Sequence, residues 1–367
     1  MSAGMPDEVR SLLTLHLVPG LGPRLTAALL ERFGSASAIL QAPAEELAEV
    51  PHIGDKLARQ LRESMATVDV AAELERMERF HVRVLPRGGE GYPAPLTNIA
   101  DPPPLLYSRG RWEERDANAV TIVGSRQCTS YGRRVAERLA AGLVQRGFTV
   151  ISGLARGIDG SAHRGALDAG GRTVAVLAGG LSKIYPSEHV ELAEQVQESG
   201  ALLSEAPMGM QPLANMFPMR NRIMSGLARG VVIVEAAEQS GSLITARHAA
   251  EQGRAVFAVP GPVDSLSSGG TNALIRDGAT LVRTADDIVE ELDGVAAVAA
   301  PPTKAEPPPG LDEKQKRIWD CLAGQPRHVD ELAQQLTLSV PELMASLLTL
   351  EMKRGIRRLS GNRYERA

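Results

Sequence analysis

The chain has 367 residues, a formal net charge of −4, and 43% hydrophobic and 23% charged side chains, an ordinary balance for a globular protein of two or three domains. No run of eighteen apolar residues exists, so no membrane span is expected. The opening MSAGMPDEVRSLL lacks the basic-then-apolar order of a secretory signal, and two distant cysteines, Cys128 and Cys321, offer neither a disulfide framework nor a zinc knuckle. A cytoplasmic protein is the simplest expectation, and under a net negative charge any nucleic-acid binding must rest on local basic patches.

Residues 1–83 read as a helical domain with an approximate repeat. VPGLGPRLTAALL (18–30) and VPHIGDKLARQL (50–61) share Val-Pro, a hairpin glycine (Gly22, Gly54), a basic residue two further on (Arg24, Lys56) and an apolar helix. The repeat resembles a tandem helix-hairpin-helix module of the sterile-alpha-motif-like kind. Backbone N–H groups at the helix start can meet a phosphate in such a module; helical hairpins serving as protein contacts are the other reading.

Residues 84–293 form the long α/β block. It opens on YPAPLTNIADPPPLLYSRG (92–110), which is rich in proline and expected to be extended. Seven strands follow, at 120–123, 148–151, 173–178, 201–204, 231–235, 255–259 and 280–282, with helices between them, for example 131–146 and 242–252. Most of the strands are continuous apolar runs, which suits a parallel sheet covered on both faces. The fold expected here is α/β: a Rossmann-like, doubly wound, mainly parallel sheet.

GVAAVAAPPTKAEPPPG (294–310) reads as a linker rich in proline and alanine. Residues 311–367 resemble a winged helix, with three helices and a two-stranded wing around Ser360-Gly361-Asn362. Ten basic against eight acidic residues give this segment a net +2, and Lys353, Arg354, Arg357, Arg358, Arg363 and Arg366 crowd its end. A basic wing offers a surface for duplex DNA; a protein partner is the alternative.

Glycine, serine and charge in the α/β block gather after the strands. Gly124-Ser125-Arg126 follow the first strand, SGLARGID (152–159) the second, GGLSKIYP (179–186) the third, SEAPMG (204–209) the fourth, EAAEQSGSLITA (235–246) the fifth and PGPVDSLSSGGTN (260–272) the sixth. The opposite edge carries plain helix stops such as QRG (145–147). Open parallel sheets bind ligands outside their carboxyl strand ends, so this edge is the candidate site. No G-x-G-x-x-G follows the first strand, no acid stands ready for a ribose and no Walker A sequence is present, which disfavours NAD, FAD and ATP in their common forms. No cofactor or metal is expected.

The edge is cationic instead. Arg126, Arg156 and Lys183 follow three consecutive strands, and FPMRNRIMSGLARG (217–230) adds Arg220 and Arg222 around Asn221. Arginine presents a planar fork that matches phosphate oxygens. The hydroxyls of Ser125, Ser130, Ser240, Ser242 and Thr245 can add uncharged phosphate contacts. Aromatic residues for base stacking are few: Tyr185 is the best placed and Phe217 next, and Tyr185 equally reads as packing before Pro186.

VGSR…SYG, ISGLARGIDGSAHRGAL, AVLAGGLSKIYP, LLSEAPMG, FPMRNRIMSGL, VVIVEAAEQSGSLITARHAAEQGRAVFAVPG and SGGTNALIRDGA together resemble the DNA-processing protein A (DprA/Smf) family over residues 85–283. The resemblance implies a non-catalytic, dimeric bacterial protein that binds single-stranded DNA, protects incoming strands and loads RecA recombinase onto them during natural transformation. The family's phosphate positions carry over to Gly124, Ser125, Arg126, Ser130 and Lys183. Arg156, Arg220, Asn221, Arg222, Ser240 and Gly241 match family motifs, with Asn221 either touching DNA or organising its loop.

An enzyme is the competing class. EAAEQSGSLITA has some likeness to the phosphate loop of nucleotide phosphoribohydrolases, where Glu235 and Arg222 would take acid/base and phosphate roles, but the PGGxGT signature of that family is not reproduced. Cys128 has no histidine base nearby in sequence. His163 reads as a packing or hydrogen-bonding residue, and Asp159 as the N-cap of its helix.

Overall fold

The structure, a computed structural model, describes residues 5–299, 311–322, 327–336, 338–353, 355–359 and 362–366. The chain forms two compact units, Met1–Leu292 and Asp293–Ala367. The first begins with six helices: α1 (Asp7–His16), α2 (Pro23–Phe33), α3 (Ala36–Gln41), α4 (Ala44–Leu47), α5 (Asp55–Thr67) and α6 (Val70–Arg79). The two repeat glycines stand immediately before α2 and α5 in extended conformation, so the sequence repeat is a structural one. Ser35 and Asp69 cap α3 and α6 through the Ala38 and Ala72 N–H groups.

The sheet follows: β1 (Arg83–Pro86), β2 (Leu105–Gly110), β3 (Ala119–Val123), α7 (Ser130–Gln145), β4 (Thr149–Ser152), α8 (Ile158–Asp168), β5 (Thr173–Leu177), α9 (Val190–Ser199), β6 (Ala201–Ser204), α10 (Met216–Leu227), β7 (Gly230–Ile233), α11 (Ser242–Glu251), β8 (Ala255–Ala258), α12 (Gly269–Arg276), β9 (Thr280–Leu281) and α13 (Ala285–Ala299). The strand order is β1-β2-β6-β5-β4-β3-β7-β8-β9. All seven expected strands are present and parallel to one another, with β3 between β4 and β7 (Val120 opposite Val150 on one side and Gly230 on the other). The chain therefore winds outward from β3 through β6, returns to β7 and winds the other way, which opens a crevice beyond the ends of β3 and β7.

Two strands went unanticipated: β2 pairs antiparallel with β6, and β1 pairs antiparallel with β2 at the sheet edge. Both faces of the sheet are covered, which explains the continuous apolar runs. Val120, Ile122 and Val150 pack with Val135, Leu139 and Ala162 of α7 and α8, while Val123, Ile151 and Ile233 pack with Ile223, Met224 and Ala246 of α10 and α11. Each fully buried Val, Leu or Ile contributes roughly 1.5–3 kcal/mol.

The helices of the N-terminal segment share a core with β2, β5, β6 and α9. Buried polar links fix their position: Glu73 of α6 accepts from the Tyr107 hydroxyl (2.8 Å) and the Met208 N–H (2.7 Å), and His16 Nε2 donates to the Glu205 carbonyl (2.7 Å). Burial pulls the His16 pKa down.

The second unit holds α14 (Glu313–Cys321), β10 (Arg327–His328), α15 (Val329–Leu336), α16 (Val340–Met352), β11 (Ile356–Leu359) and β12 (Arg363–Arg366), with its sheet ordered β10-β12-β11. This is a winged helix. Asp312/Gln315 and Ser339/Glu342 form capping boxes at α14 and α16. Trp319, Leu332, Leu343, Leu347 and Tyr364 make its core, and the Arg366 guanidinium lies 4.6 Å from the centre of the Trp319 ring. Val340, Met344, Leu348 and Met352 form an exposed apolar stripe along α16. Of the expected linker, residues 294–299 belong to α13 and 300–310 lie outside the described residues, as do Arg354 and the wing residues Ser360 and Gly361.

Candidate nucleic-acid interface

The loop after β3 is built by β7 and α8. The Ser125 N–H donates to the Glu235 carbonyl (2.7 Å), and the Ser125 carbonyl accepts from Ile158 N–H (3.2 Å). A Cβ at Gly124 would lie 2.9 Å from that same Glu235 carbonyl, so only glycine lets the chain pass here. The Glu235 carboxylate accepts from the N–H (2.8 Å) and the hydroxyl (2.5 Å) of Thr129, whose hydroxyl caps Gly132 N–H at the start of α7. The loop is therefore held in place before any ligand arrives, and Arg126 projects from it exposed.

Two cavities meet at Arg126. A pocket of about 190 Å³ lies over the ends of β4 and β5, lined by Gly153, Arg156, Gly179, Lys183 and Tyr185 among others. A larger one, about 700 Å³, lies at the β3/β7 crevice, lined by Ser125, Asn221, Ser240, Gly241, Ser242 and Thr245 among others. Arg126, Gln127, Ala155 and Phe217 line both, so they form the shared wall. The Arg126 guanidinium sits 4.5 Å from the Phe217 ring centre, and Tyr185 meets the same ring edge-on at 6.4 Å. Tyr185 is 49% exposed, so its ring is not buried beneath Pro186; it stands at the rim. Arg126, Arg156 and Lys183 line the smaller pocket and no carboxylate does.

The expected cations differ in availability. Arg126 and Lys183 have no ion-pair partner among the described residues. Arg156 is paired with Glu188, an exposed pair whose hydrogen bonds hold the Glu188 carboxyl down to about 2; such a pair adds little and can be exchanged for a phosphate. Ser130 is exposed at the first position of α7, outside both cavities. Asn221 donates to the Gly241 carbonyl (3.4 Å) and so organises the Ser240-Gly241 turn, while Ser240 and Ser242 hydroxyls bond each other (2.8 Å).

Arg220 and Arg222 are buried, which changes their reading. Arg220 donates to the Gly153 carbonyl (2.8 Å) and the Val176 carbonyl, tying β4 to β5; burial lowers its pKa to about 10. Its Nε lacks a partner. Arg222 lines neither cavity: it forks onto Glu205 (2.7 and 2.8 Å) and reaches Asp101 (3.2 Å). Its charge is matched inside the protein, so it offers no free cation at this edge.

The enzyme candidates are likewise committed elsewhere. Glu235 is tied to Thr129, and Arg222 to carboxylates. Cys128 is buried, which pushes its thiol pKa up. His163 is buried against Thr173 (2.7 Å), and burial drops its pKa to about 3. Asp159 does not cap α8 from outside: Gly157 holds that position with φ +74°, and Asp159, inside the helix, accepts from Gly153 and Ala155 N–H groups (3.1 and 3.3 Å). Burial raises its pKa, opposed by Arg220.

A family model described as DNA recombination-mediator protein A matches residues 83–293. The chain belongs to that family. A DprA winged-helix domain model matches residues 301–362, and a SAM-like helix-hairpin-helix tandem model matches residues 10–66. Among family members, Protein Smf of Synechocystis sp. is 32% identical over 95% of this chain and 96% of its own. The X-ray structure of DNA processing protein A from Streptococcus pneumoniae superimposes with a TM-score of 0.68 at 33% identity, covering 77% of this chain and 97% of that one. DNA processing protein A from Helicobacter pylori, solved for its single-stranded DNA binding mode, gives a TM-score of 0.53 at 29% identity over 59% of this chain and 97% of that one. Family membership places the chain in DNA processing.

Proposed function

We propose that the chain binds single-stranded DNA along the carboxyl edge of its sheet, through Arg126 and Lys183 with support from Ser125, Arg156 and the Tyr185–Phe217 rings. The observation that carries this reading is the pocket lined by three cations and no carboxylate beside two aromatic rings, in a protein whose net charge is −4. The single-strand binding of the Helicobacter pylori relative supports it. Arginine over an aromatic ring offers a stacking face that tolerates any base, and free cations serve the phosphates.

On this reading residues 84–293 hold the strand, and 311–367 form a separate module that contacts duplex DNA or a protein. The protein shields incoming single strands and hands them to RecA recombinase during natural transformation. It acts as a homodimer in the cytoplasm, and it catalyses nothing. Titration of a labelled single strand and its duplex across a salt series, run beside an assay for mononucleotide turnover, tests the reading. Tighter single-strand binding with a steep salt dependence and no turnover is expected. Turnover of a mononucleotide without DNA affinity would overturn it.

A further inference from the structure

The larger cavity at the β3/β7 crevice has a buried floor. Val123, Met224 and Thr245 line it, and each is at most 3% exposed. Its volume of about 700 Å³ falls in the ~300–1,000 Å³ range of small-ligand sites.

Its donors are arranged for an anion. Helix α11 starts at Ser242, whose N–H donates to the Ser240 hydroxyl (3.4 Å), and helix side chains lean toward the N-terminus, so Thr245 projects toward the same end as Ser242. A helical threonine often returns its hydroxyl to the carbonyl one turn back. Here the Gly241 carbonyl accepts from Ile244 N–H (3.2 Å) and Asn221 instead, and the Thr245 hydroxyl has no partner among the described residues although the residue is 1% exposed. The Arg220 Nε, on a second buried residue lining the cavity, is also unpartnered. Unmade hydrogen bonds at buried groups are costly; the Arg220 Nε is shut off from the cavity, whereas an acceptor there would complete the Thr245 hydroxyl. Ser125, Ser240, Ser242 and Arg126 add donors around the same space. Asp159 also lines the cavity, but Arg220 faces it and the Gly153 and Ala155 N–H groups bond it.

We propose that this cavity receives a terminal phosphate monoester of a nucleotide. A monoester carries close to two negative charges and three terminal acceptor oxygens at neutral pH, against one charge and two such oxygens for an internal phosphodiester, and this cluster of hydroxyls beside Arg126 suits the former. Two sources share that chemistry: the phosphorylated end of the bound strand, and a free mononucleotide. The proposal rests on the single-strand reading above, with Arg126 shared between the two cavities.

The test is a fluorescence titration at one salt concentration with four ligands of the same sequence: a strand with a 5′-phosphate, one with a 3′-phosphate, one with hydroxyl ends, and a circle. One phosphorylated end should bind roughly tenfold tighter than the hydroxyl-ended strand, the scale of one charged hydrogen bond. Thr245→Val removes only the unpartnered hydroxyl and should bring that ratio down toward one, leaving affinity for the circle unchanged; the circle thus reports that the variant is folded. A deoxynucleoside monophosphate that displaces the phosphorylated strand, but not the circle, identifies the free nucleotide as a second occupant. Equal affinity for phosphorylated and hydroxyl ends in the unaltered protein would overturn the proposal. Failure of every strand to bind would overturn the single-strand reading instead.

Discussion

Gly153 stands where the buried Arg220 guanidinium crosses the end of β4. A Cβ built on Gly153 would lie 2.5 Å from Arg220 Cζ and Nη2, nearer than side-chain atoms approach. The arginine has nowhere to retreat, because it is 6% exposed and its Nη1 is anchored on the Gly153 and Val176 carbonyls. Gly153→Ala must therefore displace the guanidinium from at least one charged hydrogen bond, about 1.5–3 kcal/mol, and adds overpacking of about 1–3 kcal/mol. Partial relaxation makes these less than additive, and a loss of about 2–4 kcal/mol is expected. Urea unfolding reads it as a lower midpoint with unchanged slope. Because Arg220 ties together the strand ends that present Arg156 and Lys183, single-strand affinity should fall as well, for all sequences alike. In a double-mutant cycle, Gly153→Ala and Arg220→Met should be strongly non-additive. A Gly153→Ala protein within 0.5 kcal/mol of the original, with unaltered binding, would refute the reasoning.

The chain should also lose stability in mild acid through His163. Its pKa is lowered to about 3 in the folded state against ~6.5 unfolded. The folded protein therefore refuses a proton that the unfolded chain accepts, and stability present above pH 6.5 declines as pH falls toward 3, by about 2 kcal/mol at pH 5. His163→Gln should flatten that part of the stability–pH curve; an unchanged slope would show the imidazole is not the cause. Arg222→Met should cost about 3 kcal/mol or more in stability by leaving Glu205 buried beside Asp101 without its cation. Arg126→Ala, at an exposed side chain, should change stability by less than about 0.5 kcal/mol and act on binding instead, and thermal melts beside binding curves separate the two.

The sheet was legible because its parallel strands are buried on both faces and their apolar runs are short and bounded by glycine. β1 and β2 were hidden by the prolines around them: LLYSRG is a buried antiparallel strand, but it sits after Pro102-Pro103-Pro104, which reads as extended chain without a partner. The edge carrying the site followed from where glycine, serine and arginine gather. What local sequence could not say is which arginines face solvent. Arg126 and Arg222 each sit beside a polar residue, Ser125 and Asn221, yet one is exposed beside Phe217 and the other is enclosed by Glu205 and Asp101, partners distant in sequence. Asp159 misled for a related reason: it lies one position inside α8, and its bonds run back to the loop before the helix. Phe217, weighed second to Tyr185 from the sequence, proves central to the wall between the cavities because α10 brings it against Arg126.

The central claim is that unpaired cations at the strand ends grip the phosphates of a single strand. The most direct measurement is the salt dependence of single-strand affinity for the unaltered protein and for Arg126→Ala/Lys183→Ala. Each phosphate contact on a single strand contributes about 0.7 to the slope of log K against log salt. The double variant should therefore bind more weakly to every sequence, with a slope shallower by roughly 1.4. Equal affinity and an equal slope in the two proteins would contradict the claim.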